Sequence, residues 1–187
     1  LSSYQKKMKR KIAFFTGSRA DYGLMKPLME RVIGDKNIIF SLVVTGSHLE
    51  KRFGNTWKQI QKDGFKISSK FKILSDDDSP TGISQSLSRA VRKTSEVLHS
   101  LNPDLLVILG DRYEALAAAQ AAMIHKIPIA HIHGGESTFG LIDEAIRHSI
   151  SKMSHLHFVS CQRYKKRLIQ LGEKPNSVWN VGAIGYD

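Results

Sequence analysis

Cysteine is nearly missing: Cys161 is the single one in 187 residues. One thiol excludes an intrachain disulfide framework and points to a reducing, cytoplasmic setting. Cys161 sits in "FVSCQRY" with no activating neighbour, so it reads as a small packing residue rather than a nucleophile. Long apolar runs are missing too. "IAFF" and "LLVILG" have strand length, far below the ~18 residues a membrane helix needs. The opening "LSSYQKKMKRK" is polar and basic, with no apolar stretch of a secretory signal behind it. Met8 reads as a start with residues 1–7 an upstream extension, or residues 1–7 are a natural tail; either way 1–10 forms a basic tail. There is no internal repeat and no low-complexity segment. Acidic residues are the scarce charge, 17 against 28 Lys and Arg, for a net charge of +11. Such an excess favours anionic partners. The basic residues are scattered, however, and "KKMKRK" and "RYKKR" lack the interleaved aromatics of a single-strand groove. No nucleic-acid or membrane partner is expected, and most of the charge reads as solvated surface.

What is present is 41% hydrophobic and 24% charged, a globular balance. Short apolar runs alternate with helical periods. "KIAFFTG", "IIFSLVVTG", "FKISSKFKIL", "LLVILG", "IPIAHIHGG", "HLHFVS" and "VWNVGAIG" read as strands. "LMKPLMERVIG", "WKQIQKDG", "ISQSLSRAVRKTSEVLHSL", "RYEALAAAQAAMIH", "LIDEAIRHSISKMS" and "YKKRLIQLG" read as helices. Alternation of this kind predicts an α/β fold, a doubly wound parallel sheet over residues 11–187. Ligands in such sheets gather past the carboxyl ends of the strands, so those segments hold the candidate site.

In "TGSRADYG", Gly17 permits a tight turn and free N–H groups at a helix start, an anion site. Arg19 adds a fork suited to phosphate or carboxylate, while Ser18 or Asp21 caps the helix. The dinucleotide pattern Gly-x-Gly-x-x-Gly is absent. In "LGDRYEA", Asp111 stands at a helix N-terminus, with Arg112 and Glu114 in the first turn. In "AHIHGGES", strand alternation puts His131 and His133 on one side. With Glu136 they allow a zinc reading, unsupported by any further ligand spacing. Gly134 and Gly135 let a ligand approach the backbone. His155 and His157 read as core histidines bonded to backbone. In "DEAIRH", Asp143 meets Arg147 and Glu144 meets His148 at i, i+4.

Taken together, "GSRADYGLM", "GDRYEALAAA", "HIHGGES" and "IDEAIRHSISKMSHLHF" resemble the hydrolysing UDP-N-acetylglucosamine 2-epimerases of sialic acid synthesis, from about Lys11 to Asp187. The resemblance implies a Rossmann-like N-terminal domain of a glycosyltransferase-B arrangement, with a C-terminal domain missing from this chain and a homo-oligomer in the full-length enzyme. It implies a UDP-sugar substrate, released as N-acetylmannosamine and UDP through a glycal, with no cofactor and no metal. Carried over by motif, Asp111, His133, Glu136 and Asp143 are the acid/base candidates. Gly17, Arg19, Asp21, Arg112, Arg147 and His148 are the substrate-binding candidates. Many relatives have an acid where this chain has His133, which leaves the identity of the base open. Close relatives act on nucleotide-linked 2,4-diacetamido sugars. A nucleotide-sugar-binding module without turnover is the alternative for a chain of half length.

Overall fold

The computed structural model describes residues 9–138 and 142–185. Strands and helices follow in order: β1 (Arg10–Thr16), α1 (Arg19–Ile33), β2 (Ile38–Val44), α2 (Trp57–Lys62), β3 (Ser69–Lys70), α3 (Pro80–Leu101), β4 (Leu105–Leu109), α4 (Tyr113–Ile124), β5 (Ile129–Ile132), α5 (Ile142–Met153), β6 (Leu156–Val159), α6 (Gln162–Gln170) and β7 (Val178–Asn180). The strands form one sheet of seven in the order β3-β2-β1-β4-β5-β6-β7, every pairing parallel. This is the doubly wound, Rossmann-like architecture. The order reverses between β1 and β4, and a crevice opens at that switch point in such sheets.

Side-chain alternation sorts the strands between two faces. Ala13, Phe15, Val43, Leu106, Ile108 and Ile129 pack on one side with Leu98 of α3, the α4 alanines and Ile150 of α5. Helix α4 is alanine-rich because it is hemmed in. Ala115, Ala117, Ala118, Ala119, Ala121 and Ala122 are all buried, and a thin helix fits between sheet, α3 and α5 where bulkier side chains would overpack. Phe14, Leu42, Val44 and Val107 pack on the other side, against Tyr22, Met25 and Met29 of α1. On that second face no described helix lies over β4, β5 and β6. An apolar groove of about 360 Å³ remains there, walled by Leu28 and Val32 of α1, floored by Val107, Ala130, Ile132, Leu156 and Phe158, and rimmed by Val181 and Ile184.

The long third strand expected over "FKISSKFKIL" shrinks to Ser69–Lys70. The apolar residues of this stretch serve opposite faces. Phe65 and Ile67 join the α1 side, whereas Ile73 and Leu74 pack with Ala90 of α3 and Ala117 of α4. The chain must turn around the sheet edge between them, so only two residues stay in register. Helix α3 then starts cleanly, with Ser79 Oγ accepting from the Gly82 N–H at 3.2 Å and Pro80 in the first turn.

Candidate active site

The loops after β1, β4, β5 and β6 share one end of the sheet. Arg147, from the second turn of α5, joins two of them. Its guanidinium donates to Asp111 Oδ2 past β4, to Glu136 Oε2 at 3.0 Å past β5, and to the His133 carbonyl at 3.5 Å. The Arg147 side chain is only 8% exposed, so these charges meet in a poorly solvated setting and attract strongly. Ser160, at the end of β6, donates to the other Glu136 oxygen at 2.7 Å. His133 Nδ1 lies 3.9 Å from that same oxygen, and its Nε2 is buried without a partner among the described residues. Burial holds His133 below its ordinary pKa; Glu136 opposes this and Arg147 adds to it.

The expected Asp143–Arg147 pair is therefore replaced. Arg147 points inward to Asp111 and Glu136, where two carboxylates attract it more strongly than one half-exposed neighbour. Asp143 is half-exposed, one turn away on the same helix, with no hydrogen bond or ion pair among the described residues. Glu144 and His148 do approach each other, at 3.6 Å. Asp111 does not cap α4, since Arg112 occupies the N-cap position and Asp111 is free to reach Arg147.

The two glycines of the opening after β5 serve internal packing rather than ligand approach. A Cβ on Gly134 would lie 2.9 Å from both His131 Nδ1 and Ser151 Oγ; on Gly135, where φ is +75°, it would lie 2.7 Å from the Tyr164 carbonyl. His131 and His133 do not form a matched pair either. His131 is fully buried, its Nε2 on the Gly110 carbonyl at 2.7 Å and its Nδ1 on Ser151 Oγ at 3.0 Å. Burial drives its pKa down to about 3. His133 lies past the strand with φ +61°, so strand alternation no longer governs it. Among the described residues no three His, Cys, Asp or Glu side chains gather as a metal site. His155 accepts from the Ile129 N–H at 3.4 Å, a backbone bond as expected, but it is exposed rather than in the core; His157 is in the core but pairs with Glu173 at 3.1 Å instead of with backbone.

Past β1, Asp21 accepts from the N–H groups of Gly17 and Ser18 at 2.9 and 2.8 Å, closing the start of α1. Gly17 is not a left-handed turn residue. It is small because a Cβ there would come within 3.3 Å of Glu114 Cβ. Glu114 itself is fully buried; one oxygen takes Arg112 at 3.0 Å and the other has no partner among the described residues. Arg19 is exposed and lines a cavity of about 540 Å³ with Tyr22, His48, Asn55 and Lys58. His48 bridges Thr16 Oγ1 at 2.9 Å and Thr56 Oγ1 at 2.7 Å. Glu114, His48 and Ser160 were missed as site residues. Ser160 meets Glu136 from 24 positions away and His48 meets Thr16 from 32, while Glu114 stands in a capping position that accounts for an acid by itself.

A doubly wound sheet with charged side chains gathered past β1, β4 and β5 defines the class: a Rossmann-like α/β domain. The family profile described as UDP-N-acetylglucosamine 2-epimerase matches residues 31–187, and the chain belongs to that family. It is 46% identical over 176 residues to a GDP/UDP-N,N'-diacetylbacillosamine 2-epimerase (hydrolyzing) from Campylobacter jejuni, covering 94% of this chain and 46% of that protein. It is 44% identical over 178 residues to polysialic acid biosynthesis protein P7 of Escherichia coli, covering 95% and 46%. The chain thus spans about half the length of these relatives. The crystal structure of UDP-GlcNAc 2-epimerase from Neisseria meningitidis bound to UDP-GlcNAc superposes with a TM-score of 0.82 at 23% identity, over 92% of this chain and 46% of that one, and shows the same fold.

Proposed function

We propose that this chain is the N-terminal half of a cytoplasmic hydrolysing 2-epimerase that turns UDP-N-acetylglucosamine and water into N-acetylmannosamine and UDP. The observation that supports it best is the Arg147 cluster, which gathers Asp111, Glu136 and His133 past adjacent strands. Direct deprotonation of the sugar at C2 is implausible, because that C–H is not alpha to a carbonyl. Loss of UDP from C1 builds positive charge next to C2 and acidifies it. A base takes the C2 proton, the C1–O bond to UDP breaks, and a glycal remains. Water then adds to C1 while a proton returns to C2 from the opposite face.

His133 is the base in this reading. Its Nε2 has no partner among the described residues, whereas Asp111 and Glu136 are both engaged by Arg147. Burial favours its neutral form, the form that accepts a proton. Arg19 and Arg112 take the departing diphosphate; Asp21, which already occupies the Gly17 and Ser18 N–H groups, steadies that turn, and His148 and Asp143 face the sugar side from α5. The other half of the enzyme closes the opposite wall, and the full-length enzyme is an oligomer.

A second reading is favoured by the sequence similarity to the Campylobacter protein, whose stated substrate is a diacetylbacillosamine nucleotide. The same elimination works on a 2,4-diacetamido sugar. The full-length protein should be given both nucleotide sugars, with UDP release and the free sugar followed. Release of UDP with the epimerised sugar from one of them supports the function and names the substrate. UDP release with unchanged C2 configuration, or none from either, overturns it.

A further inference from the structure

Both oxygens of Glu136 are held, and from different elements. Arg147 of α5 donates to Oε2 at 3.0 Å, and Ser160 at the end of β6 donates to Oε1 at 2.7 Å. Oε1 is also the oxygen nearest His133 Nδ1, at 3.9 Å. Arg147 alone would leave the carboxylate free to swing about its anchored oxygen. The hydroxyl removes that freedom and turns Oε1 toward the imidazole. The same stretch of chain fixes the backbone of this loop: Arg167 of α6 donates to the Gly135 carbonyl at 2.5 Å, and Gly135 sits so close to the Tyr164 carbonyl that a Cβ would reach within 2.7 Å of it. Strand β6 and helix α6 therefore hold the loop after β5 at its main chain and at its acidic side chain.

We propose that Ser160 is a positioning residue for the His133–Glu136 pair. By holding Oε1 toward Nδ1 it favours the ring proton on Nδ1 and leaves the Nε2 lone pair, buried and unpartnered among the described residues, to take the C2 proton once substrate reaches it. A carboxylate that orients an imidazole through one nitrogen, so that the other does the proton transfer, is the arrangement seen in unrelated active sites. At 3.9 Å the contact is longer than a hydrogen bond; in this proposal it tightens when substrate is bound. The inference rests on the 2-epimerase reading of the site.

The test is made on the full-length protein with Ser160→Ala and Ser160→Thr, using substrate carrying either hydrogen or deuterium at C2. A mispositioned base slows proton transfer and leaves substrate binding alone. Ser160→Ala should lower kcat about ten- to a hundred-fold with KM within about two-fold, and the C2 isotope effect on kcat should grow. Ser160→Thr, which keeps the hydroxyl, should recover most of the rate. Thermal midpoints of both variants should stay near the parent's. If the parent turns over but Ser160→Ala leaves kcat and the isotope effect unchanged, Ser160 has no positioning role. If the two variants are equally impaired, and only in proportion to lost thermal stability, Ser160 is merely structural. If the parent releases no UDP from either sugar, the 2-epimerase function falls, and the role of Ser160 falls with it.

Discussion

One guanidinium carries much of the site. Arg147 compensates Asp111 and Glu136 together while staying 8% exposed. Arg147→Ala leaves two carboxylates facing each other with no cation between them, and breaking such a pair costs about 3 kcal/mol or more. The expected result is a clear drop in the denaturant midpoint of this chain and loss of turnover in the full-length protein. Arg147→Lys should recover part of the stability but little activity, because an ammonium cannot fork to two carboxylates. An Arg147→Ala chain as stable as the parent would show that the cluster is solvated and weak.

The buried histidines make a second residue-scale prediction. His131 is driven down to about 3 by burial, and burial also depresses His157, whose Nδ1 is unpartnered among the described residues. In the unfolded chain both return to about 6.5. Below that pH the unfolded state binds protons that the folded state refuses. Their contribution is whole above about pH 6.5 and is lost as pH falls toward each folded-state value, for His131 about 3, at up to about 1.4 kcal/mol per pH unit for a buried histidine. Urea midpoints measured from pH 8 to pH 4 should be flat at first and then fall. His131→Asn, which keeps polar contacts without the titration, should flatten the lower part of the curve; an unaltered slope would remove His131 from the account.

At the scale of elements, the glycines separate packing from propensity. Gly134 lies between His131 of β5 and Ser151 of α5, whose side chains are bonded to each other at 3.0 Å. Gly134→Ala pushes into that bond and should cost about 1–3 kcal/mol. Gly23 lies in α1, exposed, with nothing within 4 Å of its Cβ position. Gly23→Ala should instead stabilise by about 0.5–1 kcal/mol. Thermal or urea melts of the two variants check both signs. The same contrast marks what the sequence discloses. Apolar runs and helical periods gave the strands and helices of the sheet, since each signal lies within one element. The shortening of β3 was hidden because "FKISSKFKIL" is apolar at the right spacing for a strand, and only the sheet edge shows that its ends serve opposite faces. The inward turn of Arg147 was hidden for the same reason: a local partner, Asp143, was available by spacing, and the stronger ones came from two other strands. Ser160 bore no signal at all, being one serine among many until β6 brought it to Glu136.

For the whole molecule, under the proposed function the candidate residues line one wall of a cleft whose other wall this chain does not supply. Water then reaches the crevice freely and the leaving diphosphate lacks partners from the other wall, so the chain by itself should turn over little or no nucleotide sugar. UDP release measured on this chain beside the full-length protein checks it. Turnover at about 1 s⁻¹ or faster would show that one half suffices, or that copies of it complete each other's site.

The groove over β4, β5 and β6 has a practical consequence for anyone handling this chain alone. Its lining is apolar throughout, and Val181 at its rim is 51% exposed. Phe14, Val107, Ala130 and Ile132 at its base are buried, but an apolar groove with an exposed rim takes up hydrophobic dye and favours clumping as the protein is concentrated. A naphthalene sulfonate dye should fluoresce with the chain while near-ultraviolet circular dichroism still reports fixed aromatic packing, which separates a native sticky face from a loosened core. Val181→Glu, placing a charge at the rim, should dim the dye and raise the concentration at which light scattering begins, with the melting temperature little changed.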